Sequence, residues 1–163
     1  LRLDPSVEPP AVRIVEVPAS CWLLYSLAID EAGRIALTGF SCDRVSVYDP
    51  SAGRWGSVAT EPSPRGAIFA GDRLFVTHTS GLLTELALGP LRVREVQTLA
   101  TADVAVGETI GIGATSTHVW AIAREGEPAG PGRALRIPLA GGPVDAVIDV
   151  GAAPHTQGDL TGA

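Results

Sequence analysis

The feature that most constrains the fold of this chain is an internal repeat. Residues 44–53 read R-V-S-V-Y-D-P-S-A-G. A copy of the Tyr-Asp-Pro element lies at 3–5 and weaker copies lie at 88–90 and 137–139, so successive copies are 40 to 49 residues apart. A second element recurs in step, with Arg34, Arg73 and His118 each opening a mostly apolar run. Two markers that share a period of about 40–50 residues indicate a repeat architecture, in which each unit buries its apolar surface against the next.

Each repeat contains four short runs suited to β-strands, with turn residues between them. In the clearest copy the runs are Tyr25–Asp30, Arg34–Gly39, Arg44–Asp49 and Arg54–Thr60. Four strands per repeat predict an all-β protein, a β-propeller with four-stranded antiparallel blades. A β-sandwich would explain the number of strands but not the repeat, and it is the alternative fold.

Small residues in the first run of each repeat predict which strand is innermost, because the blades converge where space is tightest. These residues are Ala28, Ala67, Gly111 and Gly113. Asp30 and Asp49 end strands, where a carboxylate accepts hydrogen bonds from the turn that follows, so we assign them structural roles.

The repeats span approximately 22–62, 64–103 and 107–150, with partial units at 1–18 and 153–163. The first partial unit carries two outer strands, Arg2–Leu3 and Val12–Val17, and the second resembles the start of a new inner strand. Propellers have 4–8 blades, so either the two ends build a fourth blade together or the ring is larger. The chain contains no Met, which favours a fragment, and we expect about three full blades here with the remaining blades outside this chain.

Composition and charge exclude several classes of protein. With 45% hydrophobic and 18% charged residues the chain lacks the composition of a disordered protein. A net charge of −6 argues against a nucleic-acid partner, which would require clustered basic residues. The apolar runs fall short of the about 20 residues of a membrane-spanning helix, so no membrane span is expected.

Cys21 and Cys42 are the only cysteines. They flank the first two strands of one repeat, and antiparallel neighbours bring such positions to the same end of a blade, so a disulfide is feasible. Two reduced, packed thiols are the alternative. Two cysteines cannot form a four-thiolate zinc site, and the redox spacing C-x-x-C is absent.

The three histidines, His78, His118 and His155, have no metal-binding spacing, and no metal or cofactor site is predicted from the residues alone. His78 lies among Thr77, Thr79 and Ser80, which suggests a solvated strand edge. The longest insertion runs from Arg124 to Arg133. Long propeller loops often bind partners, but a solvated loop without a partner is the other interpretation.

The best repeat resembles the streptogramin (virginiamycin B) lyase-like propellers and the related NHL and YVTN repeats. The residues that carry the resemblance are Ser26 to Leu37, S-L-A-I-D-E-A-G-R-I-A-L, and Val45 to Gly53, V-S-V-Y-D-P-S-A-G. The second repeat adds residues 63–68, S-P-R-G-A-I, the third adds Val119 to Ala121, and the segment 154–162 is similar to the closing segment of secreted members.

This resemblance implies a secreted protein, and its secreted members carry a cysteine pair at the position of Cys21 and Cys42. It would locate the chain outside the cell, in the periplasm or at the cell surface. It also implies an enzymatic alternative, a Mg²⁺-dependent C–O lyase in which His155, after Pro154, is the catalytic general base. Because no convergent catalytic set accompanies His155, the leading hypothesis is a non-enzymatic binding module without a cofactor, whose partner is a protein or small-molecule ligand at one face of the propeller.

Overall fold

In a computed structural model, the structure describes residues 2–4, 6, 11–18, 23–89, 92–100, 107–125, 130–152, 154–155 and 158–159. All regular elements in these ranges are strands, and none of the residues described here forms a helix that would reach across a membrane. The strands are β1 (Arg2–Asp4), β2 (Ala11–Arg13), β3 (Leu24–Ile29), β4 (Ile35–Gly39), β5 (Arg44–Asp49), β6 (Arg54–Ala59), β7 (Pro64–Ala70), β8 (Arg73–His78), β9 (Leu82–Gly89), β10 (Arg92–Ala100), β11 (Glu108–Ala114), β12 (His118–Arg124), β13 (Pro131–Pro138), β14 (Ala146–Ala152) and β15 (Gly158–Asp159).

Three sheets contain four consecutive antiparallel strands each. They are ordered β3-β4-β5-β6, β7-β8-β9-β10 and β11-β12-β13-β14, and we call them the first, second and third blades. Strands β3, β7 and β11 lie side by side and are the innermost of their blades, as their small residues predicted. The all-β prediction is confirmed.

Tight turns fix the register inside a blade. Asp30 accepts a hydrogen bond from the backbone N–H of Arg34 at 2.7 Å, while Gly33 takes the φ of +75° that closes the turn between β3 and β4. Between β5 and β6, Asp49 Oδ1 accepts hydrogen bonds from Ser51 N at 2.8 Å and Ser51 Oγ at 2.6 Å. Both aspartates therefore have the structural role predicted for them.

Adjacent blades pack face to face through alternate residues of each strand. We call the face of a blade toward the next blade its front face and the opposite one its rear face. One apolar cluster joins the front of the first blade to the rear of the second: Ala28, Ala36, Val45, Val47, Ala67, Leu74, Val76 and Leu86. The next joins the second blade to the third: Ile68, Phe75, Leu83, Ile112, Val119, Ala121, Ala123, Leu135 and Ile137.

The three blades do not close a ring within the described residues, since the main contacts between blades join the first to the second and the second to the third. Strand β15 pairs in parallel with β11 and lies near β3 and β7, so it occupies the side of the inner strands away from the blades. Strands β1 and β2 form their own two-stranded sheet. The strand predicted over Val12–Val17 is too long, because β2 ends at Arg13 and residues 14–17 form no strand.

His78 is not the solvated edge residue that its polar neighbours suggested. Its side chain is fully buried, with Nε2 2.8 Å from Thr84 Oγ1 on the next strand. Its backbone exchanges hydrogen bonds with the hydroxyl of Thr109 from the third blade. Thr84 therefore holds the imidazole inside the protein and the prediction of exposure was wrong.

Candidate binding site

The blades present two different sides to solvent. The turn side carries the turns β3–β4, β7–β8 and β11–β12, and the opposite linker side carries the second-to-third strand turns and the connections between blades. A cavity of about 590 Å³ opens on the turn side, where all three blades contribute residues. Its walls are Ile29, Asp30, Glu31, Ala32, Arg34, Ile68, Phe69, Ala70, Gly71, Ala114 and Thr115.

The wall of the cavity contributed by the first blade is rigid. Asp30 accepts from the backbone of Arg34 and also forms an ion pair with its guanidinium. The guanidinium carbon of Arg34 lies 5.7 Å from the centre of the Phe69 ring on the second blade, within the range of a cation–π contact. Asp30 neutralises the positive charge of Arg34, and the contact between Arg34 and Phe69 links the first blade to the second. The rest of the cavity wall is largely apolar.

Carboxylates without ion-pair partners among the described residues surround this cavity. Glu31 lines it and is exposed, Asp72 lies on the adjoining β7–β8 turn, and Asp49 lies on the neighbouring β5–β6 turn. The hydrogen bonds from Ser51 and from the backbone of Ala52 hold the pKa of Asp49 below its ordinary value. The turn side is therefore acidic around an apolar hollow.

A hydroxyl, an imidazole and a carboxylate line up on the outer part of the turn side. Thr117 Oγ1 lies 2.8 Å from His118 Nδ1, and His118 Nε2 lies 3.3 Å from Asp145 Oδ2. The backbone N–H groups of Thr117 and His118 both donate to Thr115 Oγ1, so neither is available to stabilise an oxyanion. Both N–H groups are therefore used within the turn between β11 and β12.

Asp145 is bound mainly by a guanidinium. Arg136 Nε donates to Asp145 Oδ1 at 2.7 Å, and this bond, with a smaller contribution from His118, lowers the pKa of Asp145. The carboxylate ties β12 to β13 at the edge of the third blade, which is a structural role.

The linker side is organised around Arg65, a buried guanidinium at the start of β7. Its Cζ lies 3.8 Å from the ring centre of Phe40 and 4.7 Å from that of Tyr25, both on the first blade. Its Nη2 donates to Glu108 Oε2 at 2.8 Å on the third blade, and Glu108 also pairs with Arg124. Arg65 thus connects all three blades, and its guanidinium already interacts with two aromatic rings and a carboxylate of this protein.

The residues singled out in the sequence are not brought together. His155 is exposed after β14, and the residues that follow it, 156 and 157, lie outside the described residues. Cys42 is buried on the linker side, but Cys21 lies outside the described residues, so the disulfide stays a prediction. In the described part of the chain, no three His, Cys, Asp or Glu side chains cluster to hold a metal ion.

The long insertion is closed at its base on the linker side. Glu125 N–H donates to Pro131 O at 3.0 Å, and Glu125 Oε1 lies 3.1 Å from Arg133 Nε. Residues 126–129 lie outside the described residues, so both interpretations of this loop stay open.

Sequence reasoning missed the cavity. Residues 30–33 were recognised only as turn residues, and Phe69 and Thr115 carried no signal of their own. The repeat register held the available signal, because the β3–β4, β7–β8 and β11–β12 turns recur at the same place in each blade and so meet on one side.

Comparisons with known proteins identify the fold. No protein-family model matches the chain, and no curated protein matches it either. Among solved structures, the β-propeller domain of Cps50 (Swd1) from Myceliophteria thermophila superposes with a TM-score of 0.60 at 10% identity, over 83% of this chain and 43% of that chain. The WD40 domain of Pan2 from Neurospora crassa gives 0.59 at 12% identity, over 86% and 44%.

The fold is a β-propeller. Glutaminyl cyclase from Myxococcus xanthus is also similar, with a TM-score of 0.54 at 16% identity, over 76% of this chain and 51% of that chain. The similar structures therefore include a propeller domain, a WD40 domain and an enzyme. The similarity identifies the fold but not the function. The chain spans about half the length of each of these three chains.

Proposed function

We propose that this propeller is a binding module whose partner docks at the turn-side cavity. The observation that carries the proposal is the cavity itself, because it is built by three blades and combines apolar walls with uncompensated carboxylates. Propellers of similar fold include a WD40 domain, which fits a protein-interaction role without assigning one.

The chemistry of the cavity supports a partner that combines an apolar anchor with positive charge. Phe69 and Ala70 offer apolar contact to one inserted side chain, while Glu31 and Asp72 favour positive charge at the rim. A peptide segment with an apolar anchor flanked by Arg or Lys fits this combination. Attraction between the rim carboxylates and a basic peptide raises the association rate, and repulsion by the same carboxylates disfavours acidic peptides.

The binding function is preferred over the lyase alternative for a chemical reason. The described residues give His155 no hydrogen-bond or ion-pair partner and supply no carboxylate cluster for Mg²⁺. A general base needs a positioned substrate and, for this alternative, a held metal ion. The turn-side cavity has the shape and charge of a binding site.

We expect peptides selected on the immobilised chain from a random phage-displayed library to be enriched in Arg or Lys next to Leu, Ile or Phe. Glu31→Lys should weaken a selected peptide about tenfold in fluorescence anisotropy, because it reverses a rim charge. Ala70→Trp should abolish binding by filling the cavity.

The matched control is Glu61→Lys, since Glu61 is an equally exposed carboxylate on the linker side. It should leave the affinity unchanged. Selection of acidic peptides, or equal affinities for the Glu31→Lys and Glu61→Lys proteins, would contradict the proposed site.

We also propose that Cys21 and Cys42 form a disulfide and that the protein works in an oxidising location, outside the cell, in the periplasm or at the cell surface. Disulfides persist in such compartments. Iodoacetamide should label neither cysteine in the denatured, non-reduced protein and both after reduction, as read by mass spectrometry. Labelling of both without reductant would reject the bridge.

A further inference from the structure

Two apolar sheet faces are left without a neighbouring blade in the described part of the chain. One is the rear face of the first blade, where Leu27 is 52% exposed and Ile29 is 60% exposed. The other is the front face of the third blade. Residues 14–18 cover only the outer part of the first of these faces, where Trp55 Nε1 donates to Glu16 O at 2.7 Å.

The repeat shows what normally covers the rear face of a blade. Ile29, Phe69 and Ala114 are equivalent, because each pairs with the first apolar residue after the inner turn. Leu27, Ala67 and Ile112 lie two residues earlier and are equivalent too. Ala67 and Ile112 are both 0% exposed, each packed against the front face of the preceding blade.

The front face of the third blade, on which no other blade packs in the described residues, suits this position. Pro154 lies against Gly132 near one end of this face, and the guanidinium carbon of Arg136 lies 5.9 Å from the centre of the Trp120 ring. On the third blade, Ile122 pairs with Ala134, and Ala134 pairs with Ile148, so the three form one row. Trp120 belongs to the next row of the same face. This face is opposite the one that packs on the second blade, since Val119, Ala121 and Leu135 lie between these residues along the strands.

We propose that two copies of this chain associate head to tail, the rear face of the first blade in each copy packing on the front face of the third blade in the other. A twofold rotation about the propeller axis makes both contacts at once, as in an isologous dimer in which each face meets its complement on the other copy. Each copy spans 43–51% of the similar propellers, so two copies supply about the length of one complete ring. The proposed contact repeats the packing already seen between the blades.

The test is the oligomeric state of the 163-residue chain by sedimentation velocity over a concentration series. The chain should form a dimer. Leu27→Asp and Ile148→Asp should each raise the dimer dissociation constant about 100-fold or more, because each places a carboxylate in an apolar contact. Val147→Asp is the matched control, since Val147 is similarly exposed on the same strand but points to the opposite face.

Mixing the variants separates head-to-tail pairing from other dimers. When Leu27→Asp and Ile148→Asp chains combine, both substitutions fall in one contact and the other contact is intact. The mixture should therefore dimerise at least about tenfold more tightly than either variant alone. Circular dichroism should show that each variant is folded, since substitutions at exposed positions usually change stability little.

Four outcomes would overturn the proposal. If the chain is a monomer at every concentration, a second copy does not cover the two faces, and blades of another polypeptide segment do. Assemblies of more than two copies would show that the contact forms without closing the ring. A mixture no tighter than its parts, or a Val147→Asp protein as weak as Ile148→Asp, would show that the pairing uses other surfaces.

Discussion

Replacing Arg65 with alanine is expected to lower the free energy of unfolding by about 3–5 kcal/mol, the range found when one partner of a buried ion pair is removed. The guanidinium is buried between Tyr25 and Phe40 and donates to Glu108. Alanine would open a gap between two aromatic rings and leave Glu108 with a single guanidinium. Urea unfolding, monitored by tryptophan fluorescence and circular dichroism, measures the loss.

Arg65→Lys is the control that separates charge from shape. A lysine keeps the positive charge but lacks the planar head that stacks on the rings and donates to both Glu108 and Thr79, so we expect an intermediate loss. A double-mutant cycle with Glu108→Ala should give a coupling energy of about 1–3 kcal/mol, as residues in one network do. An Arg65→Ala protein within about 0.5 kcal/mol of the parent would contradict a structural role for this network.

The strands were predictable because their signals are local. The runs predicted as Tyr25–Asp30 and Arg34–Gly39 lie within one residue of β3 and β4, and Arg44–Asp49 coincides with β5. Alternating apolar residues and turn-forming Asp and Gly determine these elements over a few residues, and the repeat then indicated how they assemble.

The contacts between blades were not predictable from the same signals. Arg65 and Glu108 are 43 residues apart, and nothing near either one marks the other as its partner. His78 was misjudged because its partners lie outside its own run of polar residues. Thr84 on the next strand contacts its imidazole, and Thr109 on another blade bonds to its backbone. The cavity on the turn side likewise depends on how three turns meet, which no single turn reveals.

Equivalent positions in a repeat also differ in burial for a reason outside their own repeat. Leu27 and Ile112 occupy the same place on their inner strands, yet only Ile112 has a preceding blade against it. The sequence identifies such residues as members of an apolar face. Which faces are covered depends on the neighbours of each blade, and the proposed head-to-tail contact follows from that difference.

Ile112→Ala is expected to destabilise the protein by about 2–5 kcal/mol, because Ile112 is fully buried between the second and third blades and alanine leaves a cavity there. Ile14→Ala removes the same atoms from an exposed position outside the blades and should change the free energy of unfolding by less than about 0.5 kcal/mol. Denaturant unfolding should show a lower midpoint with an unchanged slope. Equal losses from the two substitutions would mean that the second and third blades do not pack as described.

Gly66, which contacts Ile112, provides a second test of the same packing. A Cβ added at Gly66 would lie 2.9 Å from Ile112 Cγ2, so Gly66→Ala should cost about 1–3 kcal/mol by overpacking. In the Ile112→Ala background the clash with Cγ2 disappears, although Thr77 Oγ1 and the backbone N of residue 112, each at 3.2 Å, remain. The combined loss should therefore be smaller than the sum of the single losses, as it is for residues that share one space. Additive losses would place Gly66 and Ile112 too far apart to share the junction between β7 and β11.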